Sequence, residues 1–340
     1  MLFRSASPAA GQTRLAKRLA FMFMFPLPCC YGEQPYSFRR REWQPLMTDL
    51  AFDRDFDARP GEAVQLSPLV RRVLCDNPGP FTFKGTSSFI VGHGSVAVID
   101  PGPEDEAHLT ALLAALDGET VSHILVTHSH ADHSPLAARL KQVTGARTYA
   151  YGGIEAQPGA GPRLDASVDH GFTPDARFRH GDVIEGEGWS LEALFTPGHM
   201  SNHMCFALRE EKTLFAGDHV MAWSTSVVAP PDGNMGQYMD SLGLLLDRDD
   251  QLYLPSHGPA RVDPKPLVRG LMAHRQMREA AILQRLRAGD RSIAEIVARI
   301  YAGIDPRLHG AAALSTRAHL DHLIERGRAR ERDGVYEVVG

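Results

Sequence analysis

The sequence predicts an α/β fold, a layered sandwich of sheets and helices followed by a small winged-helix domain. Three observations carry this expectation. Between about Val64 and His257, short β-rich runs alternate with helical segments, the pattern of sheets covered by helices. Pro264 and Pro266 interrupt that alternation. Beyond them, three helical segments lead into a two-stranded hairpin, the outline of a winged helix. A chain of 340 residues accommodates two globular units and some extra. The boundaries read from these breaks are 1–46, 47–263 and 264–340.

Residues 1–46 read poorly as folded structure. Arg14, Lys17 and Arg18 precede a short apolar stretch from Leu19 to Phe25, which Pro26 and Pro28 end. A secretory leader would begin this way, but the stretch is short and lacks a small-x-small cleavage site. The expectation is an extension upstream of the true start, with Met47 beginning the product. In the α/β segment, Ser88–Gly92 and Val96–Asp100 are β-rich and are joined by Gly92-His-Gly-Ser, a hairpin signal. Ala107–Leu116 reads as a helix, and Val121–Thr127 as a strand from its β-branched content. Ser134-Pro135 then looks like a helix start, with Ser134 as N-cap, Pro135 at the first helical position and the helix over Leu136–Val143. Further short strands follow at Thr148–Tyr151, Ser190–Phe195, Met204–Leu208, Thr213–Ala216 and Leu252–Leu254. In the tail, a long helix is expected over Leu267–Ala288. Ser292 and Glu295 form a capping box for a second helix, and a third spans Ser315–Arg326. Asp333-Gly334 makes the turn of the closing hairpin.

Composition narrows the function classes. Hydrophobic residues at 43% and charged residues at 23% are ordinary for a soluble globular protein. No apolar run is long enough to cross a bilayer, so no membrane association is expected. The four cysteines include the adjacent pair Cys29 and Cys30 and form no spaced framework, which favours a reducing, cytoplasmic setting. Sixteen histidines, several in short clusters beside glycine and polar residues, point to metal chemistry. The net charge of −5 is unevenly divided. Residues 264–340 carry 14 basic and 9 acidic residues, and 1–46 carry 7 and 2, leaving 15 against 30 in the middle. An acidic middle and a basic tail are surfaces for different partners.

The run Thr127-His-Ser-His-Ala-Asp-His133-Ser134 is the centre of the functional case. It follows a buried strand and precedes a helix. His128 and His130, two apart in an extended segment, point the same way and can share one metal ion. Asp132 and His133, on the next turn, offer oxygen and nitrogen to a second ion. Three later strand ends carry metal-type ligands on turns bearing Gly or Pro: His199 in Thr-Pro-Gly-His, Asp218 in Ala-Gly-Asp, and His257 in Pro-Ser-His-Gly-Pro. Asp218 is placed to bridge two cations. Singly, each is a routine loop residue. Four such turns in one domain are not.

These residues make the chain resemble the metallo-β-lactamase superfamily, whose pattern His-x-His-x-Asp-His, lone His, bridging Asp, last His maps onto His128, His130, Asp132, His133, His199, Asp218 and His257. The resemblance implies an αββα sandwich with metals at the edge of two facing sheets. It is closer to the lactamase-like protein 2 group, which adds a C-terminal winged helix. That likeness rests on Asn77–Thr86, Gly198–Met204, Tyr238–Leu242 and His274–Arg278. Ser87 and Ser256 depart from that group's usual Asn and Gly. Asp100 resembles the aspartate that orients metal-bound histidines, and His203 a substrate-side histidine able to donate to a developing oxyanion. His219 is expected to face away from the site.

The chemistry implied is hydrolysis. Two ions roughly 3.5–4 Å apart can share a water and lower its pKa to about 7. That hydroxide then attacks an ester, thioester or phosphodiester, with Asp132 and His203 as catalytic side chains. Nitrogen and oxygen ligation suits two zinc ions, and iron or manganese also fit such a set. The expected substrate is a small-molecule ester or thioester. Single-stranded RNA is the alternative, anchored by Arg317, Arg326, Arg328, Arg330 and Arg332 of the winged helix. Those arginines read more readily as a solvated face or a dimer contact. An oxidoreductase of the persulfide dioxygenase type, with one iron in the first site, would use the same motif.

Overall fold

The computed structural model describes residues 50–154, 168–303 and 309–339. The expected extension at 1–46 lies outside them. β-Branched and aromatic residues at alternating positions build two sheets. The first has seven strands in chain order: β1 (Ala63–Ser67), β2 (Val70–Leu74), β3 (Ser87–Val91), β4 (Ser95–Ile99), β5 (Thr120–Leu125), β6 (Arg147–Ala150) and β7 (Ala176–Arg177). Strands β1 to β4 pair antiparallel, and β4 to β7 pair parallel through crossovers. Helices α1 (Glu106–Ala115) and α2 (Leu136–Thr144) make two of these crossovers. The second sheet holds β8 (Val183–Gly186), β9 (Trp189–Phe195), β10 (Met204–Leu208), β11 (Thr213–Gly217), β12 (Leu252–Pro255) and β13 (Arg261–Val262). Its one parallel pair, β11–β12, is crossed over by α3 (Met235–Asp247).

Three apolar layers stack these elements as helix, sheet, sheet, helix. Between the sheets lie Phe89, Ile99 and Leu125 from the first, and Leu191, Phe206 and Phe215 from the second. The rings of Phe89 and Phe215 meet with centroids 5.1 Å apart. Outside the first sheet, Ile90, Val98 and Ile124 meet Leu109 and Leu112 of α1 and Leu136 and Leu140 of α2. Outside the second, Leu214 and Tyr253 meet Tyr238, Leu242 and Leu245 of α3. A strand buried on both faces reads as a continuous apolar run, which is why β10 and β11 were legible without strict alternation.

Helix α4 (Lys265–Arg287) begins directly after Pro264, the break read from the sequence. Its packing divides elsewhere. Leu267, Val268 and Leu271 belong to the core under α3. Ile282, Leu283 and Leu286 instead join Ile296 of α5 (Ile293–Ile300) and Leu320 and Leu323 of α6 (His309–Glu325). The wing, β14 (Ala329–Arg332) and β15 (Val335–Val338), closes that second core with Ala329 and Tyr336. One rigid helix therefore serves both cores, a continuity that a proline break conceals. The capping box at Ser292 and Glu295 is formed as expected.

The structure differs from the sequence reading at several points. Ser134 does not cap α2: the N-cap is Pro135, and the Ser134 hydroxyl donates to Asp169 Oδ2 at 2.8 Å. A distant carboxylate outcompetes the local backbone amide. Helix α6 is described from His309, six residues before the expected start at Ser315. The early hairpin β1–β2 and helix α3 were not anticipated, their apolar periodicity being diluted by Arg71 and Arg72 in the one and Gly236 and Gly243 in the other. Truncating Phe206, 1% exposed between the sheets, to alanine is expected to cost about 3–5 kcal/mol of stability. Urea unfolding of Phe206→Ala measures this, and a loss below about 1 kcal/mol would mean the two sheets do not share one core.

Candidate metal centre

Each proposed ligand sits where a strand stops. The chain leaves β5 through Thr127 and turns sharply, delivering His128, His130, Asp132 and His133 within six residues. His199 follows β9, Asp218 follows β11 and His257 follows β12. All seven side chains converge at one edge of the sandwich in two groups. Around one point lie His128 Nε2, His130 Nδ1 and His199 Nε2, with the first two 2.9 Å apart and the last two 3.2 Å apart. Around the other, His257 Nε2 is 3.2 Å from Asp132 Oδ2, and His133 Nε2 is 3.4 Å from the same oxygen. Asp218 stands between the groups. Its Oδ2 is 3.7 Å from His199 Nε2, while its Oδ1 is 3.3 Å from His257 Nε2 and 3.7 Å from His133 Nε2.

The hydrogen bonds behind the rings determine which nitrogen faces inward. Thr127 donates its hydroxyl to Asp100 Oδ2 at 2.7 Å, so its lone pair accepts the Nδ1–H of His128 at 3.0 Å. His133 donates Nδ1–H to Asp100 Oδ2 at 2.9 Å. His199 and His257 donate theirs to the carbonyls of Val227 and Gly85, at 2.5 and 3.1 Å. Four imidazoles thus turn Nε2 towards the cluster, the nitrogen a metal ion would take. The buried atoms His133 Nε2 and Asp218 Oδ1 have no hydrogen-bond partner in the structure, and both aim into the cluster. This donor set fits a pair of divalent cations.

Asp100 holds the arrangement from behind. Fully buried, it accepts from the Thr127 amide, the Thr127 hydroxyl, His133 and the Ser256 hydroxyl at 2.7, 2.7, 2.9 and 3.0 Å. Ser256, noted in the sequence only as a departure, therefore supplies one of its four donors. Asp100 also adopts φ +49°, a left-handed conformation uncommon for aspartate. Asn202, which the sequence reading did not single out, ties the loop after His199 to the first motif, donating to Ser129 Oγ at 2.9 Å and to the Gly152 carbonyl at 2.8 Å.

His203 is not placed as expected. It is fully buried, and both ring nitrogens are committed inside the protein. Nδ1–H donates to Thr196 Oγ1 at 2.9 Å, and Nε2 accepts the Asp218 amide at 3.2 Å. No donor remains for an oxyanion, so His203 braces the backbone of Asp218. The approach is close enough to require glycine at 217, where φ is +52° and a Cβ would lie 2.5 Å from His203 Nε2. His219 lies behind, its ring against that of Tyr238 at 4.7 Å, in keeping with a structural role.

Electrostatics follow from burial. Desolvation, reinforced by the neighbouring imidazoles, holds His128 well below its ordinary pKa and brings His130 down to about 3. On His133 and His257 burial opposes the charge, yet the nearby Asp132 and Asp218 outweigh it. His133 is raised well above its ordinary value and His257 up to about 10. Burial likewise opposes the Asp132 and Asp218 charges, and the facing histidines still hold both carboxyls below the usual range.

Residues 81–257 match the Metallo-beta-lactamase superfamily, and residues 292–336 match the Beta-lactamase associated winged helix domain. The chain belongs to the metallo-β-lactamase superfamily. It is 31% identical over 270 residues to the lactamase-like protein adaB of Aspergillus niger, covering 74% of this chain and 78% of that one. It is 32% identical over 253 residues to an atrochrysone carboxyl ACP thioesterase of Passalora fulva, covering 70% and 69%. Among solved structures, a beta-lactamase domain protein from Burkholderia ambifaria superposes with TM-score 0.71 at 24% identity, covering 85% of this chain and 97% of that one. A metallo-beta-lactamase family protein from Thermus thermophilus gives 0.66 at 24%, covering 81% and 100%. The chain is thus an enzyme of the hydrolase type with the αββα fold and a winged helix. Among the described residues, no helix is long and apolar enough to cross a membrane.

Two outcomes are expected. Asp100→Asn should weaken zinc binding by about 10- to 100-fold, as loss of a partner behind a ligating histidine does; competition against a chromophoric chelator measures it, and wild-type affinity would refute the role. Zinc uptake at pH 7 should release protons, because His257 and His133 are raised and a metal must displace their protons. Affinity should therefore rise with pH towards the His257 value of about 10. Calorimetry in two buffers of different ionisation enthalpy reads the proton count, and zero release would contradict the assignment.

Proposed function

We propose that this chain is a two-metal thioesterase that hydrolyses acyl thioesters. The observation that carries the reading is the pair of back-to-back ligand groups sharing Asp218. His128, His130 and His199 would hold one zinc ion, Asp132, His133 and His257 the other, and Asp218 both. A cation pair, when bound, supplies Lewis acidity toward the carbonyl and nucleophilic water near neutral pH. The chain's own residues do the rest. Asp132 is the most exposed of the ligands that pair across the second group, its side chain 14% accessible against 9% for Asp218 and about none for His257 and His133. Its Oδ2 faces those histidines, which leaves Oδ1 to take the proton of the attacking water. That proton passes to the departing thiolate, so one thioester and one water give one acid and one thiol.

Support for thioesters over other bonds comes from relatives named as acyl carrier protein thioesterases, 30–34% identical over about two thirds of the chain. The RNA alternative loses part of its basis. Arg317 is bound to Asp321 at 2.7 Å and Glu331 at 3.3 Å, and Arg330 to Glu337 at 2.6 Å. An anchor for phosphates needs free positive charge, and residues 47–263 carry 15 basic against 30 acidic groups. The one-iron oxidoreductase reading uses only the first group and leaves Asp132 and His257 without a role.

A hydrolysis assay of the zinc-loaded protein tests the proposal, comparing acyl thioesters with labelled single-stranded RNA and using His128→Ala as blank. Thioester turnover should be present in the wild type and fall by at least about 100-fold in the variant, the scale of a lost catalytic electrostatic group. Equal rates for wild type and variant on thioesters, or cleavage of RNA alone, would overturn it.

A further inference from the structure

We propose that Arg275, on the helix leading into the C-terminal domain, is a positioning residue for the metal ligand His199. The inference rests on the reading of His199 as a ligand. His199 presents Nε2 to the cluster because its Nδ1–H donates to the Val227 carbonyl at 2.5 Å. Residues 225–229 belong to no helix or strand, so no regular ladder fixes where that carbonyl points. Core packing of Val228 on one side and the hydrogen-bonded Ser226 peptide on the other hold it. The Ser226 carbonyl accepts from Arg275 Nη2 at 2.6 Å, and the Ser226 hydroxyl donates to the His219 carbonyl at 2.8 Å.

Arg275 is itself well anchored. It is 4% exposed, and its guanidinium lies 5.2 Å from the centre of the Tyr238 ring on α3. Tyr238 donates its hydroxyl to the same His219 carbonyl at 3.0 Å. The Tyr238 backbone also presses on Gly198, the residue before His199: a Cβ there would fall 2.3 Å from the Tyr238 Cα, and φ is +137°. The Gly198 carbonyl accepts the Asn234 amide at 2.9 Å. Arg275 and Tyr238 therefore grip both sides of His199, one through Val227 and one through Gly198. A charged donor buried against a main-chain carbonyl makes a strong hydrogen bond, and its planar fork limits the directions it can take.

Helix α4 is shared by both cores, so this contact ties the helix that enters the C-terminal domain to the metal site. Removing the guanidinium frees the 226–227 peptides and loosens the tautomer and ring orientation of His199. The group formed by His128, His130 and His199 should weaken, while that of Asp132, His133 and His257 should not.

The test measures metal binding, independently of any substrate. Zinc affinity by chelator competition and the visible spectrum of the cobalt-substituted protein are compared for wild type, Arg275→Met, Arg275→Lys and Glu279→Gln. Glu279 lies one turn along α4, bonded to His322 at 2.7 Å, and its variant loosens α4 against α6 without touching Ser226. Arg275→Met should lose about 10- to 100-fold in affinity for one of two zinc ions and alter the cobalt spectrum, with partial rescue in Arg275→Lys. Glu279→Gln should lower the melting temperature and leave both metal readouts unchanged. Wild-type affinity and spectrum in Arg275→Met, or an equal loss in Glu279→Gln, would overturn the role. Should Arg275→Met fail to fold, the Arg275→Lys spectrum decides: a change supports the proposal and identity with wild type refutes it. Absence of metal uptake by the wild type would sink the ligand assignment and this role with it.

Discussion

The Asp100 carboxylate is the constraint on which the metal centre depends. It sits at full burial, where an unpaired charge would be costly, and accepts four hydrogen bonds that offset the loss of water. Two donors come from Thr127, at the start of the first motif, one from His133 at its end, and one from Ser256 beside the last ligand. The segments after β4, β5 and β12 therefore meet at one anion. The first sheet carries β4 and β5 and the second carries β12, so the same carboxylate pins the two sheets together at their edge. Its consequence runs outward: with Thr127 and His133 donating to it, the Nε2 atoms of His128 and His133 face the cluster.

Burial gives the cluster its chemical character. Imidazoles removed from water and crowded together are held below their ordinary pKa, as His128 and His130 are, while the carboxylates facing His133 and His257 raise theirs. A site so balanced is poised for exchange of protons against metal, and this fits a family in which the protein supplies ligands and orientation while the ions supply electrophilic power. His203, between Thr196 and the Asp218 amide, belongs to the same scaffold rather than to the reacting surface.

The two domains are not independent bodies on a linker. Helix α4 places its first turns under α3 and its last turns in the winged-helix core, and Arg275 lies between these two sets of contacts. A buried guanidinium on a Tyr238 ring and a main-chain carbonyl is an unusual element for a mere spacer.

The candidate ligand set was legible in the sequence because each candidate is a local event: a β-rich run ends, a Gly or Pro turn follows, and a His or Asp stands at its tip. Spacing within His128–His133 and the residue types at 199, 218 and 257 needed no knowledge of what lies across the fold. The strands around them were readable for the same reason, as was the capping box at Ser292. The reading failed where partners are remote. Ser134 has a perfect local cap signature yet bonds Asp169, 35 positions away. His203 resembles a substrate donor until Thr196 and Asp218 are seen to occupy both nitrogens. Ser256 and Arg275 carry no signal at all until Asp100 and Ser226 are brought beside them. Sequence alone determined which atoms could bind metal. Tertiary structure decided which nitrogen of each ring faces inward, because that choice belongs to the acceptor behind the ring, and the acceptor comes from another part of the chain.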